Sequence, residues 1–123
     1  MIRGTVRADG SPVVPLVLRA PDGSTLDVDA LVDTGFTASL TLPPALVKGL
    51  GLIRHSKSKL LLADGTLRRF GVYVCEVFWD GQWRPVLASA IGDEVLVGMR
   101  MLDGYRVLLE AVPGGAVEIA PLL

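Results

Sequence analysis

The feature that most restricts how this chain can fold is its punctuation. Asp-Gly or Pro-Gly pairs recur at Asp9-Gly10, Asp22-Gly23, Asp64-Gly65, Asp80-Gly81, Asp103-Gly104 and Pro113-Gly114, with short apolar segments between them. Glycine reaches the positive φ that tight hairpin turns demand, so each pair reads as a place where a strand folds back. The intervening segments include Val13 to Leu18, Leu26 to Val32, Lys59 to Leu62, Phe70 to Phe78, Arg84 to Ala90, Val95 to Val97, Tyr105 to Leu109 and Ala116 to Ile119. Many are rich in Val and Leu at strand length, which predicts a mostly β chain. Two stretches break toward helix. Pro43 to Gly51 has proline in a plausible first turn and glycine past the end. Gly98 to Gly104 has room for one or two turns. The expected class is therefore all-β with one or two short helices.

A chain of 123 residues, 50% hydrophobic, has the size and apolar content of one ordinary domain. No repeat, low-complexity tract or linker divides it, so residues 1–123 are read as a single domain. Twelve basic and thirteen acidic residues leave a net charge of −1, and no stretch concentrates Lys and Arg beyond Arg68-Arg69, which argues against a nucleic-acid partner. Cys75 is the single cysteine, so no internal disulfide or cysteine-based zinc site can form, in keeping with a reducing compartment. The N-terminal residues show no secretory signal, and Pro, Gly or charge breaks every apolar run before the ~20 residues a membrane helix needs. A cytoplasmic protein without a membrane partner is expected.

The chemistry concentrates at Ala30-Leu31-Val32-Asp33-Thr34-Gly35. An apolar strand delivers an acid, a hydroxyl residue and a glycine where the chain must turn, whereas the other Asp-Gly pairs lack the intervening hydroxyl. An aspartate directly after such a strand risks partial burial, which is costly for a charge unless it is hydrogen-bonded or paired. Gly35 lets the backbone bend and aim N–H groups at the carboxylate, and Thr34 can lock the loop. Such a carboxylate can act as a general base on water, but it cannot also protonate a leaving amine. Two carboxyls ~3 Å apart share a proton and supply both roles at one pH. With one such motif in the chain, the second carboxyl has to come from another copy.

Asp33-Thr34-Gly35 after an apolar strand, followed later by Val95-Leu96-Val97-Gly98-Met99-Arg100-Met101-Leu102, resembles the retropepsin-like aspartic proteases, in particular small prokaryotic members of that clan. The resemblance extends from Ile2 to the final strand. It implies an acid-protease barrel acting as a homodimer on a peptide or protein substrate, with water as nucleophile and no metal or cofactor. It also implies that Asp33 is the catalytic acid of each half-site, that Thr34 grips the partner chain, and that Gly35 joins the carboxylate's hydrogen-bond net. Leu96-Val97-Gly98 would pack against the Asp33 loop and open a short helix. Leu61 to Leu67 would form the flap, with Ala63, Asp64, Gly65 and Thr66 at its tip contacting substrate. Chain ends interleave into a shared sheet in that family, and Ile2 to Val6 and Ala116 to Ile119 are the matching strands. One departure is Phe36, which stands where the family has a small residue, so its ring must lie near the substrate cleft or turn into the core.

The remaining residue types have plainer readings. His55 reads as a solvated loop residue. Trp79 and Trp83, on either side of Asp80-Gly81, read as cross-strand packing beside a turn. Arg68 and Arg69 could guide an acidic peptide, although alternation along a strand would leave at least one of them in water. Cys75 lacks a neighbouring base and reads as packing. The alternative to a peptidase is a non-catalytic dimerisation or peptide-binding module whose cleft Phe36 fills.

Overall fold

The turn residues act where the sequence places them. In the computed structural model, which covers residues 1–123, Gly10, Gly23, Gly65, Gly81, Gly104 and Gly114 all take φ between 79° and 90°, a region closed to most side chains. At Asp9, Asp22 and Asp64 one hydrogen-bond plan repeats. Each carboxylate accepts the backbone N–H two residues on, from Ser11, Ser24 and Thr66, at 2.9 Å. The hydroxyls of Ser24 and Thr66 also donate to Asp22 and Asp64 at 2.6 Å. These bonds hold all three carboxyls below the ordinary aspartate range, the hydroxyl contributing most at Asp22 and Asp64 and the Ser11 N–H most at Asp9.

Strands occupy 55% of the chain and helix 9%. In chain order they are β1 (Ile2–Val6), β2 (Pro12–Arg19), β3 (Thr25–Val32), β4 (Leu40–Leu42), α1 (Pro44–Leu50), β5 (Ile53–Leu61), β6 (Leu67–Trp79), β7 (Gln82–Ala90), β8 (Leu96–Val97), α2 (Met99–Leu102), β9 (Tyr105–Leu109) and β10 (Ala116–Pro121). Six of them, β6, β7, β4, β8, β3 and β2, close into a barrel through a β2–β6 pairing from Val17↔Phe78 to Arg19↔Glu76. The chain is thus an all-β barrel with two short helices; the turns and strand-length segments predict the all-β class, and the resemblance implies the barrel.

Period-two alternation explains the core. Val14, Leu16 and Leu18 of β2 point inward and are at most 2% exposed, while Pro15 between them faces out. With Ala30, Val32, Leu40, Leu42, Cys75, Val77, Ala88 and Val97 they belong to one cluster of 21 buried residues. Each large side chain in it contributes roughly 1.5–3 kcal/mol on leaving water. Helix α1 covers the barrel with Val47; Pro44 starts it and Gly51, at φ 64°, ends it. Trp79 is buried edge-on against Tyr105, and Trp83 lies opposite Phe78 in register, so both tryptophans are packing residues.

Three elements differ from expectation. Strand β4 was not legible, because Leu40-Thr41-Leu42 is too short to show a period and only its neighbours β7 and β8 hold it. Strand β5 starts at Ile53, so His55 is in an exposed strand and not a loop. All of β5 is exposed, and pairing with β6, without core contact, makes it a strand. Finally, β1 and β10 pair with each other inside one chain, from Ile2↔Ile119 to Thr5↔Ala116, and β10 also pairs with β9. The terminal strands are satisfied within one copy, and β9 is left as one outer edge of the sheet, β5 being the other.

Candidate functional site

The Asp33 loop leaves the end of β3 and is fastened to β8. Strand β8 is only two residues long, yet it lies between two partners, parallel to β3 and antiparallel to β4. The hydroxyl of Thr41, on buried β4, makes this possible. It accepts the Leu96 N–H at 3.0 Å and donates to the Glu94 carbonyl at 3.1 Å, supplying bonds that so short a strand cannot get from ladder pairing alone. The Val97 carbonyl accepts the Asp33 N–H at 2.9 Å, the Gly98 N–H reaches the Ser39 carbonyl at 3.0 Å, and the Met99 N–H reaches the Phe36 carbonyl at 2.8 Å. Leu96, Val97 and Gly98 therefore brace the Asp33 loop from below and lead directly into α2.

Within the loop, the Gly35 N–H donates to Asp33 Oδ1 at 2.9 Å, and the Phe36 N–H donates to the Asp33 carbonyl at 3.2 Å. Asp33 is half-buried, and its carboxylate takes part in none of the chain's three ion pairs. Thr34 and Gly35 are exposed beside it. The Phe36 ring rests on Gly98, where a β-carbon would come within 2.5 Å of its Cδ2 atom. Half-buried there, the ring forms a wall and leaves open a cleft of about 570 Å³.

This cleft begins at Phe36 to Ser39 and runs to Ser58 of β5, Phe70 and Val72 of β6, and the segment Arg84 to Leu87 with Ser89 of β7. Arg100, from α2, completes it. Of the residues singled out from sequence, the structure brings Asp33, Thr34, Gly35, Leu96, Val97 and Gly98 into one bonded unit and puts Phe36 at the junction of that unit with the cleft. Ala63, Asp64, Gly65 and Thr66 do form the tip of the β5–β6 hairpin, where the Leu62 N–H donates to the Thr66 carbonyl at 2.8 Å, but they do not line the cleft. The same hairpin reaches it through Ser58 and Phe70, nearer its base.

Phe70 could have been found from sequence, since it shares a strand face with Arg68 and Val72. Arg84 carried no signal, because its importance depends on β7 lying across from the Phe36 loop. Cys75 is buried, and burial followed by the Glu76 charge pushes its thiol up to about 11, which removes it as a nucleophile. No group of three or more His, Cys, Asp or Glu side chains is placed to hold a metal ion. No helix is long and apolar enough to cross a membrane. The chain matches no protein-family model, no curated protein and no solved structure.

Proposed function

We propose that two copies of this chain bring their Asp33 loops together as a retropepsin-like aspartic endopeptidase. The observation that carries this reading is the presentation of an unpaired carboxylate, on half-buried Asp33 at the end of a barrel strand, held by a backbone N–H from Gly35, braced by β8, and three residues before the Phe36 wall of an open cleft. A single backbone donor holds the carboxylate in place without neutralising it, so its charge stays available to activate water. One carboxylate cannot also protonate the leaving amine. A second copy supplies the other, and the two share a proton. Exposed Thr34 would bond the partner loop. The unpaired outer edge of β9, with Leu108 and Leu109 exposed, is a strand template for association. A substrate peptide would lie extended in the cleft beneath the β5–β6 hairpin. Hydrolysis adds water across the scissile amide: the hydroxyl goes to the carbonyl carbon, and a proton from the carboxyl pair goes to the nitrogen.

The test is peptide cleavage against pH for wild type and Asp33→Asn. Activity is expected to trace a bell on the acidic side of neutrality, falling when both carboxyls are protonated and again when both ionise. Asp33→Asn is expected to keep the dimer and lose turnover. Cleavage by the Asn variant at the wild-type rate would overturn the proposal. A folded dimer with no cleavage by either protein would leave a peptide-binding module as the better account.

A further inference from the structure

The cleft is chemically lopsided. Its walls are apolar or hydroxyl-bearing, it contains Arg84 and Arg100, and it has no carboxylate of its own. Neither arginine belongs to any of the chain's ion pairs. Arg84 donates through Nη1 to the Met101 carbonyl at 3.4 Å, which steadies the side chain and leaves its other donors unused. Arg100 is exposed at the mouth. The β5–β6 hairpin, which lines the cleft through Ser58, Phe70 and Val72, is also basic. Across β5 and the first half of β6 it carries Arg54, Lys57, Lys59, Arg68 and Arg69, with Asp64 as its one acid. Asp64 is already engaged by Thr66 at the tip. Register places Ser58 opposite Phe70 and Leu60 opposite Arg68, and strand alternation then puts Arg68 on the same face as the cleft residues Phe70 and Val72. By the same alternation Lys57, Lys59 and Arg69 face away from it, so the unpaired positive charge at the cleft is that of Arg84 and Arg100, with Arg68 along the adjoining hairpin face.

We infer that this cleft selects an extended, acidic stretch of polypeptide, with a Glu or Asp side chain bound by Arg100 and Arg84 and its flanking residues against Phe36 and Phe70. The inference rests on the peptidase reading for the placement of the scissile bond, but the binding preference can be measured without turnover. Arginine forks match a carboxylate with paired, charge-assisted hydrogen bonds, and half-buried Phe36 and Phe70 line the same cleft. Apolar walls and serine hydroxyls suit a peptide backbone with alternating side chains. The Asp33 carboxylate repels an acid placed at the reacting bond itself. The favoured acidic residue therefore stands one or more positions away from it.

The experiment uses the full-length Asp33→Asn chain, so that bound peptide is not consumed. Fluorescence anisotropy compares a labelled peptide of alternating Glu and apolar residues with its Glu-to-Gln counterpart. The Glu peptide is expected to bind about tenfold tighter or more, the range for hydrogen bonds to charged groups. Arg100→Gln and Arg84→Gln should each remove most of that preference, and Arg100→Glu should shift it toward a Lys peptide. Because Arg84 also bonds α2, melting curves accompany each variant, and exposed Arg100 decides the matter if Arg84→Gln unfolds. Equal binding of the two peptides, or an unchanged preference in Arg100→Gln, would overturn the inference. So would a single-stranded oligonucleotide of equal charge that displaces the Glu peptide as well as the peptide displaces itself, which marks a general polyanion surface. Absence of wild-type cleavage with intact Glu selectivity would support the inference and count against the peptidase reading alone.

Discussion

A methyl group on Gly98 would lie 2.2 Å from the Ala38 carbonyl oxygen and 2.6 Å from that of Phe36. Those oxygens belong to the segment that carries the chain from Asp33 to β4, so the small size of one residue sets how closely β8 approaches the site. Its φ of −102° is open to any residue; crowding alone requires glycine here. Gly98→Ala is expected to cost roughly 1–3 kcal/mol, as overpacking does, and to displace the Asp33 loop. Gly49 offers the contrast. It lies inside α1 with nothing within 4 Å of a built β-carbon, and Gly49→Ala is expected to stabilise by roughly 0.4–1 kcal/mol through helix propensity and reduced chain entropy. Thermal unfolding of the two variants should move the midpoint in opposite directions. A Gly98→Ala protein as stable as wild type would mean that the brace between β8 and the Asp33 loop yields easily.

Among the elements, the β5–β6 hairpin stands apart because half of it lies outside the barrel. Strand β6 pairs with β7 only from Val72 onward, so Leu67 to Gly71 have β5 as their single neighbour. A two-stranded ribbon in water is marginal, and here Lys59 sits opposite Arg69, a like-charge pair that weakens it further. The tip is locked by Asp64 and Thr66. That lock is complete above the ordinary aspartate value of 3.8 and is lost as pH falls below it, because the hydrogen bonds favour the ionised carboxyl. Amides of Lys59, Leu60 and Gly65 are therefore expected to exchange faster than those of Val28 to Leu31, and to slow when a transition-state-like peptide is bound. Equal protection in both regions without ligand would mean that the hairpin does not act as a lid.

At the scale of the molecule, the barrel is complete in one copy while the proposed chemistry is not. Closure through β2 and β6 and the internal pairing of β1, β10 and β9 leave no interior strand waiting for a partner. The chain therefore can fold as a monomer, and association must be argued from the half-site and from the exposed edge of β9. Mass in solution across a dilution series is expected to show a dimer at high micromolar concentration, with turnover per chain falling as the dimer dissociates. A strictly monomeric particle at that concentration would count heavily against a shared pair of Asp33 side chains.

The sequence by itself determined the turns, most strands and the loop bearing Asp33, because these depend on local physics: glycine at positive φ, period-two burial, and an acid set after an apolar strand. It also marked Leu96 to Gly98 as the brace, through the family likeness. Tertiary structure alone decided the rest. Strand β4 exists because β7 and β8 flank three residues that carry no period, and β5 starts as early as Ile53, taking in His55, because β6 offers it a free edge. Phe36 became a wall of the cleft because Gly98 left room beneath its ring. No spacing rule relates Arg68, Arg84 and Arg100; barrel closure brought Arg84 and Arg100 to one cleft, and strand register put Arg68 on the hairpin face that adjoins it. Local preference is written residue by residue, whereas convergence of distant side chains follows from which strands end up as neighbours.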